Sequence, residues 1–309
     1  MKKKVIYFLI CLCISAFGFC NEEPQDKPNS NTEMIKKNID YPNWIIAISS
    51  IISSVSTILI IIQIRKTSKD EIEDRLFRLI DLHKKNVEDL LILDKNNIYK
   101  SGHEIIMKLC KEVHYIIRLI DKNPTLTKEF NDKDKKVFAY LYICHGLELV
   151  NNSWFETNYL FKKYAKKDLV NFVADSIKNH NDNPESKNKF LVSNNGFINV
   201  ISRYFRHLFQ IIKFIDDQKF ISKKTKYQYI KILRSSLTNR EQEFIFDNCI
   251  TPYGNAWIEK KYFTKYKIIK NIAFYYIEGY DPIKWFIEEL KIPPKKVSQY
   301  FEHYEYKES

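Results

Sequence analysis

The sequence has 309 residues, of which 45% are apolar, and its 50 Lys and Arg outnumber 38 Asp and Glu to give a formal net charge of +12. An apolar fraction of this size excludes a wholly disordered chain, and the scarcity of glycine and proline, at 6 and 9 residues, disfavours a β-sandwich or barrel, whose tight turns depend on them. We therefore predict an all-α fold, with one or more N-terminal membrane segments followed by a cytoplasmic helical bundle. The excess of cations suits nucleic acid or anionic lipid, and it is equally typical of a solvated basic surface.

The first apolar segment extends over residues 5–18 and follows three lysines. A basic start, an apolar run of 14 residues and small residues at Ala16 and Gly18 are typical of a signal peptide. A membrane span needs about 20 residues. We interpret residues 1–20 as a signal peptide or a first transmembrane helix, and the polar residues 21–43 as a short extracytoplasmic loop.

The second apolar segment, from Trp44 to Ile64, has 21 residues and no charge. A helix of this length spans a bilayer core of about 30 Å, and Arg65 and Lys66 follow it directly. Because cytoplasmic flanks are enriched in Lys and Arg, we predict a transmembrane helix over 44–64 and a cytoplasmic all-α domain over 65–309, in the bacterial inner membrane. The alternative is a buried core helix, which the lack of a polar face disfavours.

Apolar residues at three- and four-residue spacing predict a series of amphipathic helices along the cytoplasmic region. The predicted helical segments are residues 66–95, 102–121, 133–164, 197–217, 223–237 and 256–278, of which 133–164 contains one helix or two. Ser222 is available to cap the fifth of them, and Pro124 is predicted to end the second. The most polar stretch, Asn179 to Lys189, is predicted to be a loop.

Two further signals mark helix starts near the end of the chain. Thr238 and Glu241 have the spacing of a capping box, in which each side chain satisfies a backbone N–H of the other residue. The helix that they open is predicted to end near Ile250. Asp281 followed by Pro282 predicts a last helix, which continues through Leu290.

Histidines and cysteines of the cytoplasmic region are interpreted mainly as packed residues. His83 lies on the apolar stripe of the helix predicted at 66–95, and that stripe suits pairing with another helix or another copy of the chain. The three cysteines of this region occur singly, without a CxxC pair, and are interpreted as small apolar side chains: Cys110, Cys144 and Cys249. Isolated His-Glu pairs do not supply the three or four ligands of a metal site. No metal and no cofactor are predicted.

Several short motifs occur in a characteristic order along the chain. They are Phe77 to His83 (FRLIDLH), Gly102 to Ile106 (GHEII), Tyr204 to Phe209 (YFRHLF), Tyr229 to Thr238 (YIKILRSSLT) and Phe246 to Asn248 (FDN). With them, the run from about 75 to 275 resembles the phage abortive infection proteins of the AbiC-like family, although His103 stands where that family more usually has Arg. Members of the family typically begin with membrane helices. The resemblance implies anti-phage defence by halting the infected host, and it supplies no chemistry.

The sharpest candidates for catalysis are Arg203, Arg206 and His207. Many abortive infection effectors are HEPN ribonucleases, helical proteins whose motif is an Arg, four to six residues and a His. Here three residues separate Arg203 from His207. Histidine can abstract the proton of a ribose 2′-hydroxyl near neutral pH, and arginine can stabilise the developing charge on phosphate. We predict a metal-independent ribonuclease site, with an ordinary polar helix surface as the alternative.

A second predicted surface is nucleic-acid-binding and consists of Lys231, Arg234 and Arg240, next to Tyr227 and Tyr229. A packed tyrosine face with a solvated lysine face is the alternative. The predicted function is therefore a membrane-anchored effector that halts the infected cell, either by RNA cleavage or by non-enzymatic damage to the membrane. A non-enzymatic sensor or scaffold that binds a phage or host partner is a further alternative. The predicted partners are membrane lipid, RNA, a phage-derived trigger or co-encoded protein, and further copies of the chain.

Overall fold

The structure of the chain, a computed structural model, describes residues 43–93, 99–186, 189–191, 196–272 and 277–302. The predicted signal segment at 1–20 lies outside the described residues, as does the predicted extracytoplasmic loop apart from Asn43. The described chain consists of two units, which divide between Glu71 and Ile72.

The first unit contains the start of a long helix, α1 (Asn43–Glu88). Most of the apolar side chains described between residues 49 and 64 are exposed, and Ile58 and Ile62 are each more than half exposed. The hydroxyls of Ser54 and Thr57 donate to backbone carbonyls four residues earlier at 2.9 Å, so these polar groups are satisfied within the helix. Among the described residues, α1 is the one helix that is long and apolar enough to cross a membrane, by length and composition alone.

In the second unit, the last turns of α1 pack through an apolar stripe. Ile72, Leu76, Ile80 and Val87 are buried, as the three- and four-residue spacing predicts. His83 lies on the same stripe and is only 2% exposed. The interpretation of His83 as a packed histidine is therefore confirmed.

A short β-hairpin follows α1, so the prediction of a helix as far as residue 95 is wrong. Leu91–Leu93 (β1) pairs antiparallel with Tyr99–Ser101 (β2). The uninterrupted apolar run from residue 90 to residue 93 suits a strand as well as a helix, and periodicity cannot distinguish them. Gly102 has a φ of +56° and turns the chain from β2 into the next helix, in a conformation that glycine adopts most readily.

The rest of the second unit is helical. Its helices are α2 (Gly102–Asp121), α3 (Pro124–Glu129), α4 (Asp132–His145), α5 (Glu148–Asn151), α6 (Ser153–Thr157), α7 (Lys167–Asp182), α8 (Ile198–Asp216), α9 (Lys223–Ser235), α10 (Asn239–Cys249), α11 (Asn255–Glu259), α12 (Tyr262–Tyr266), α13 (Pro282–Glu288) and α14 (Pro294–Val297). Single 3₁₀ turns cover Pro252–Gly254 and Ser298–Tyr300. Within the described ranges, the prediction of a helical fold is thus confirmed apart from the hairpin.

The predicted helix starts are confirmed where a capping residue marks them. Ser222 caps α9 with its hydroxyl, and Asp281 caps α13 with its carboxylate. At α10 the capping box is complete: the Thr238 N–H donates to Glu241 Oε2 at 2.8 Å, and the Glu241 N–H donates to Thr238 Oγ1 at 3.1 Å. Each cap satisfies backbone N–H groups that the first turn leaves without partners.

Other predicted boundaries are wrong. The helix predicted over 256–278 is broken into α11 and α12, because Lys261 and Lys267 adopt left-handed backbone conformations with φ of 58° and 53°. The predicted loop at 179–189 is partly helical, since α7 continues to Asp182. By contrast, the predicted end of the helix at 102–121 is confirmed, since α2 ends at Asp121, before Pro124. Pro124 itself begins α3 as its first residue, a position where proline needs no N–H partner.

The centre of the second unit is formed where α2 packs against α4 and α10. Each of these helices carries one buried free cysteine: Cys110, Cys144 and Cys249. The interpretation of these cysteines as small apolar side chains is confirmed. Their helices also bring together the polar side chains described next.

Candidate functional site

Helix α10 buries polar residues as fully as apolar ones. Every residue from Glu241 to Cys249 is buried, which is unlike the one-sided burial of an ordinary amphipathic helix. Most of its polar side chains form hydrogen bonds with neighbouring segments, whereas the buried carboxylate oxygens of Asp247 accept no hydrogen bond from the described residues. Asn248, for example, donates through Nδ2 to the hydroxyl of Tyr140 at 2.8 Å.

The most tightly connected group is a buried histidine–carboxylate pair. His114 Nε2 lies 2.5 Å from Glu243 Oε1, and Arg240 donates to the other oxygen of Glu243 at 2.6 Å. On its other side, His114 Nδ1 lies 3.7 Å from Glu278, which Arg118 binds with two hydrogen bonds of 2.8 and 3.0 Å. Burial would raise the pKa of Glu243, but the hydrogen bond and charge of His114 outweigh it and hold that pKa below its usual value.

A second buried pair joins α4 to α10. Lys136 Nζ is 3.2 Å from Asp247 Oδ1, and both side chains are fully buried. Lys136 also donates to the backbone carbonyl of Glu278 at 2.9 Å. Burial raises the pKa of Asp247 to about 6, against the opposing effect of Lys136. At neutral pH the pair therefore contains an ionised carboxylate, and the burial of that carboxylate costs free energy.

The outer face of α2 lines a cavity of about 600 Å³. His180 near the end of α7 and Phe190 form its opposite wall. The residues that α2 contributes are mostly cationic or aromatic and include Lys108, Lys111, His114, Tyr115 and Arg118. The cavity thus has the buried His114–Glu243 pair on one side and open solvent on the other.

The three predicted catalytic residues all lie on α8, where they differ in exposure. Arg203 and Arg206 are exposed, and Arg206 Nε donates to the Ser202 carbonyl at 3.2 Å. His207 is half-buried and stacks on His83, with ring centroids 5.6 Å apart and an interplanar angle of 9°. Their Nδ1 atoms are 3.4 Å apart, and the Nε2 atoms of both rings are buried without a hydrogen-bond partner.

Both stacked imidazoles have lowered pKa values, which favours their neutral form. Burial is the main reason, and it lowers the pKa of His83 to about 4, with the charges of His207 and His103 acting in the same direction. Burial also lowers the pKa of His207. Neighbouring Tyr204 donates to Glu241 at 3.2 Å, and His103 Nδ1 lies 3.2 Å from the same carboxylate. Glu241 thus joins α2, α8 and the capping box of α10.

We expect the replacement of His83 by Phe to change the pH dependence of stability. In the wild type, the folded pKa of about 4 lies below the model-compound value of 6.5, so the unfolded chain binds more protons between these values. The stability contributed by neutral His83 is complete above pH 6.5 and is lost as the pH falls towards 4, by up to about 3 kcal/mol. The free energy of unfolding of His83→Phe, relative to that of the wild type, should therefore increase as the pH decreases.

Urea unfolding at several pH values between 7 and 4.5 measures this difference. Asp247 titrates in both proteins, so its opposite contribution largely cancels when the two free energies of unfolding are subtracted. Parallel curves for the wild type and His83→Phe would show that His83 is not held in its neutral form by the fold.

The predicted nucleic-acid-binding residues differ in exposure and in the groups that they bind. Lys231 is exposed. Arg234 is buried and donates to the backbone carbonyls of Tyr266 and Lys267 at 3.3 and 3.0 Å. Arg240 binds Glu243. Two of the three cations therefore hold structural positions, and a role in RNA binding stays a prediction.

Sequence reasoning missed the two buried pairs on α10. Their partners lie more than 100 residues away in the chain, as with His114 and Glu243 at a separation of 129. One local signal was available, since Glu243 and Asp247 are four residues apart and so occupy one helix face next to apolar neighbours. In the part of the chain that the structure describes, no three His, Cys, Asp or Glu side chains are grouped as metal ligands would be.

Comparison with protein families and known proteins gives a family match. No curated protein and no solved structure matches the chain. Residues 196–276 match the model of a family described as "Putative phage abortive infection protein". The matched region is about a quarter of the chain and contains α8 to α12, hence His207, Glu243 and Asp247. The resemblance to the phage abortive infection family is therefore confirmed over residues 196–276.

Proposed function

We propose that this protein is a membrane-anchored effector of phage abortive infection that halts the infected bacterial cell. The family match at residues 196–276 carries the defence role. The uncharged segment 44–64 supports anchoring. The cations that follow it at Arg65 and Lys66 favour an orientation with residues 65–309 in the cytoplasm and the anchor in the inner membrane.

RNA cleavage is the first candidate for the lethal reaction. Arg203 and Arg206 are exposed on α8, so their guanidinium groups can meet phosphate from solvent. The neutral imidazole of His207 is the form that accepts a proton from a 2′-hydroxyl. An Arg cation can stabilise the charge that develops on the phosphate during transfer.

A non-enzymatic mechanism is the second candidate, and the orientation of His207 favours it. Its Nε2 is buried, and its Nδ1 faces His83 at 3.4 Å. If this stacked pair persists when the protein acts, the imidazole cannot reach a substrate. The effector would then disrupt the membrane or bind a phage or host partner through its cytoplasmic unit.

Induced expression in bacteria separates the two candidates. Wild type, Arg203→Ala and His207→Ala are compared with Lys224→Ala, which removes an exposed cation at the start of α9, and with Ile58→Arg, which places a charge in the apolar segment. Growth, RNA integrity and membrane potential are followed together. An Arg at the centre of a span costs about 3 kcal/mol, so Ile58→Arg should shift the protein out of the membrane fraction.

RNA cleavage predicts fragmented RNA in the wild type and Lys224→Ala, and intact RNA in Arg203→Ala and His207→Ala. The non-enzymatic mechanism predicts that Arg203→Ala, His207→Ala and Lys224→Ala all remain toxic. It also predicts that Ile58→Arg abolishes depolarisation of the membrane. Circular dichroism checks that each variant is folded. Normal growth and normal phage plating in every strain would contradict the defence role itself.

A further inference from the structure

Two aromatic side chains of the second unit are almost fully exposed. Tyr159 is 84% exposed and Phe220 is 82% exposed. A single exposed apolar side chain is ordinary on a protein surface, so its place in the fold and its charged neighbours decide whether it marks a contact. Phe220 belongs to the α8–α9 loop, residues 217–222, which joins the end of α8 to the start of α9.

The α8–α9 loop lies at the end of the second unit where α1 enters it. His207 on α8 stacks on His83 of α1. Seven residues later on α8, the ring of Phe214 lies 4.8 Å from the guanidinium of Arg75, which is eight residues earlier on α1. The two helices are therefore antiparallel, and α8 leads towards Ile72, the first residue of the second unit.

Helix α9 leaves the loop along the same stretch of α1. The hydroxyl of Tyr229, in the second turn of α9, donates to Glu73 at 2.6 Å. The loop is thus held between two contacts with α1, that of Phe214 before it and that of Tyr229 after it. These contacts fix the loop at the entry of α1.

This end of the second unit is also tethered to the proposed membrane anchor, so the present inference rests on the proposed function. Eight residues separate Ile64, where the uncharged segment ends, from Ile72. Eight residues extend over at most about 28 Å, and the headgroup layer on one side of a bilayer is roughly 6 Å thick. The chain therefore keeps the α8–α9 loop within reach of the lipid headgroups.

The charge around Phe220 suits an anionic lipid surface. Lys219 and Lys223 flank it and are exposed, and in the described part of the chain neither forms an ion pair. Asp216, at the end of α8, is already bound by lysine and tyrosine side chains of α12, and Asp217 is the one carboxylate within the loop. A lysine at an anionic membrane surface strengthens binding by about fivefold.

Tyr159 provides the contrast, because it lies near the opposite end of α8. Phe161, two residues later, packs on the ring of Tyr253, which lies against His145 at the end of α4. The end of α4 also holds the start of α8, through a 3.0 Å hydrogen bond from the Phe197 N–H. Helix α8 has 19 residues and is therefore about 28 Å long.

From this arrangement we propose that the α8–α9 loop is a second membrane contact. Lys219 and Lys223 bind anionic lipid headgroups, and Phe220 inserts at the boundary between the headgroups and the acyl chains. A neutral lipid surface would leave the lysines unused, and a small soluble anion would leave Phe220 in water. An anionic lipid surface uses all three side chains at once.

Fluorescence quenching of the full-length chain in lipid nanodiscs tests the proposal. Phe220→Trp adds a reporter to the four tryptophans of the wild type, whose signal is subtracted. Tyr159→Trp adds the control reporter. The discs contain phosphatidylcholine with brominated acyl chains, either alone or with about one-third phosphatidylserine.

Two double variants are made in the Phe220→Trp chain. Lys219→Glu with Lys223→Glu reverses the charge beside the loop, and Lys162→Glu with Lys167→Glu reverses two exposed lysines near Tyr159. The variants are matched, since Lys167 and Lys223 are each the first residue of a helix. Circular dichroism checks that both are folded.

We expect phosphatidylserine to promote quenching of the Phe220→Trp reporter and to leave the Tyr159→Trp reporter unchanged. The loop double variant should lower the docking equilibrium constant by about 25-fold or more, and the control double variant should leave it within about twofold. Equal quenching with and without phosphatidylserine, or equal losses in the two double variants, would overturn the assignment. So would an RNA oligonucleotide that shifts the emission of the Phe220→Trp reporter when phosphatidylserine gives no quenching.

Incorporation into the discs reports on the anchor separately. A chain that enters discs of phosphatidylcholine alone but shows no quenching that depends on phosphatidylserine contradicts the loop contact and leaves the anchor intact. A chain that does not enter these discs contradicts the anchor, and the loop contact with it.

Discussion

Replacement of Lys136 by Met should destabilise the second unit by about 3–5 kcal/mol, because it leaves a buried carboxylate without its cation. Asp247 is fully buried, and its charge is balanced by Lys136 Nζ at 3.2 Å. The same ammonium also donates to the carbonyl of Glu278, so that acceptor loses its partner too. A loss of this size approaches the whole stability of many domains.

The pH dependence of this loss has a definite sign. The pKa of Asp247 is raised to about 6 in the folded chain, from 3.8, and removal of Lys136 raises it further. A protonated Asp247 needs no cation, so Lys136→Met should be less harmful at pH 5 than at pH 8. Urea unfolding of the wild type and the variant at both pH values measures the difference.

A double variant provides the control for this pair. Lys136→Met with Asp247→Leu replaces both charges by apolar groups of similar size, which is often neutral or stabilising. It should recover most of the stability that Lys136→Met loses. If the double variant is no more stable than Lys136→Met, the buried charge of Asp247 is not the cause of the loss.

The second large effect is expected from Gly254→Ala, at about 3 kcal/mol. Gly254 has a φ of −85°, which any residue adopts, so the obstacle is purely steric. A Cβ at this position would overlap the Cα and carbonyl of Cys249 at the end of α10. Backbone atoms cannot rotate away as a flexible side chain can, so α10 and α11 must separate to make room.

Gly102→Ala is the matched control for this steric effect. Gly102 has a φ of +56°, and its nearest neighbour to an added Cβ is the Val87 carbonyl at an ordinary 3.5 Å. Its expected cost is about 1–2 kcal/mol and comes from the left-handed backbone alone. The Tm of Gly254→Ala should therefore be lower than the Tm of Gly102→Ala. The reverse order would contradict the close approach of Gly254 to Cys249.

The sequence predicts helices well where local signals fix both their faces and their starts. The capping box of Thr238 and Glu241 is complete within four residues, so it can be recognised without knowledge of the fold. The breaks at Lys261 and Lys267 have no such signal, because lysine does not favour a left-handed conformation. Burial of Tyr262 and its aromatic neighbours accompanies those breaks, and that packing depends on distant parts of the chain.

The candidate site is likewise predictable from the sequence only where its residues are close together in the chain. Arg203 and His207 are visible in the sequence because they lie one turn apart on one helix. The contact of His207 with His83 joins residues 124 positions apart, and no spacing rule connects them. The cavity beside α2 needs residues from two helices and from the segment at Phe190. Its cationic stripe could be read from α2 alone, but its aromatic wall could not.

The three buried cysteines give the central helices a built-in chemical reporter. Only a thiolate reacts readily with alkylating reagents, and burial raises the pKa of Cys110, Cys144 and Cys249. Their thiols do not react with alkylating reagents while α2, α4 and α10 remain packed. The rate at which a maleimide labels them therefore measures how often these helices separate, without any denaturant.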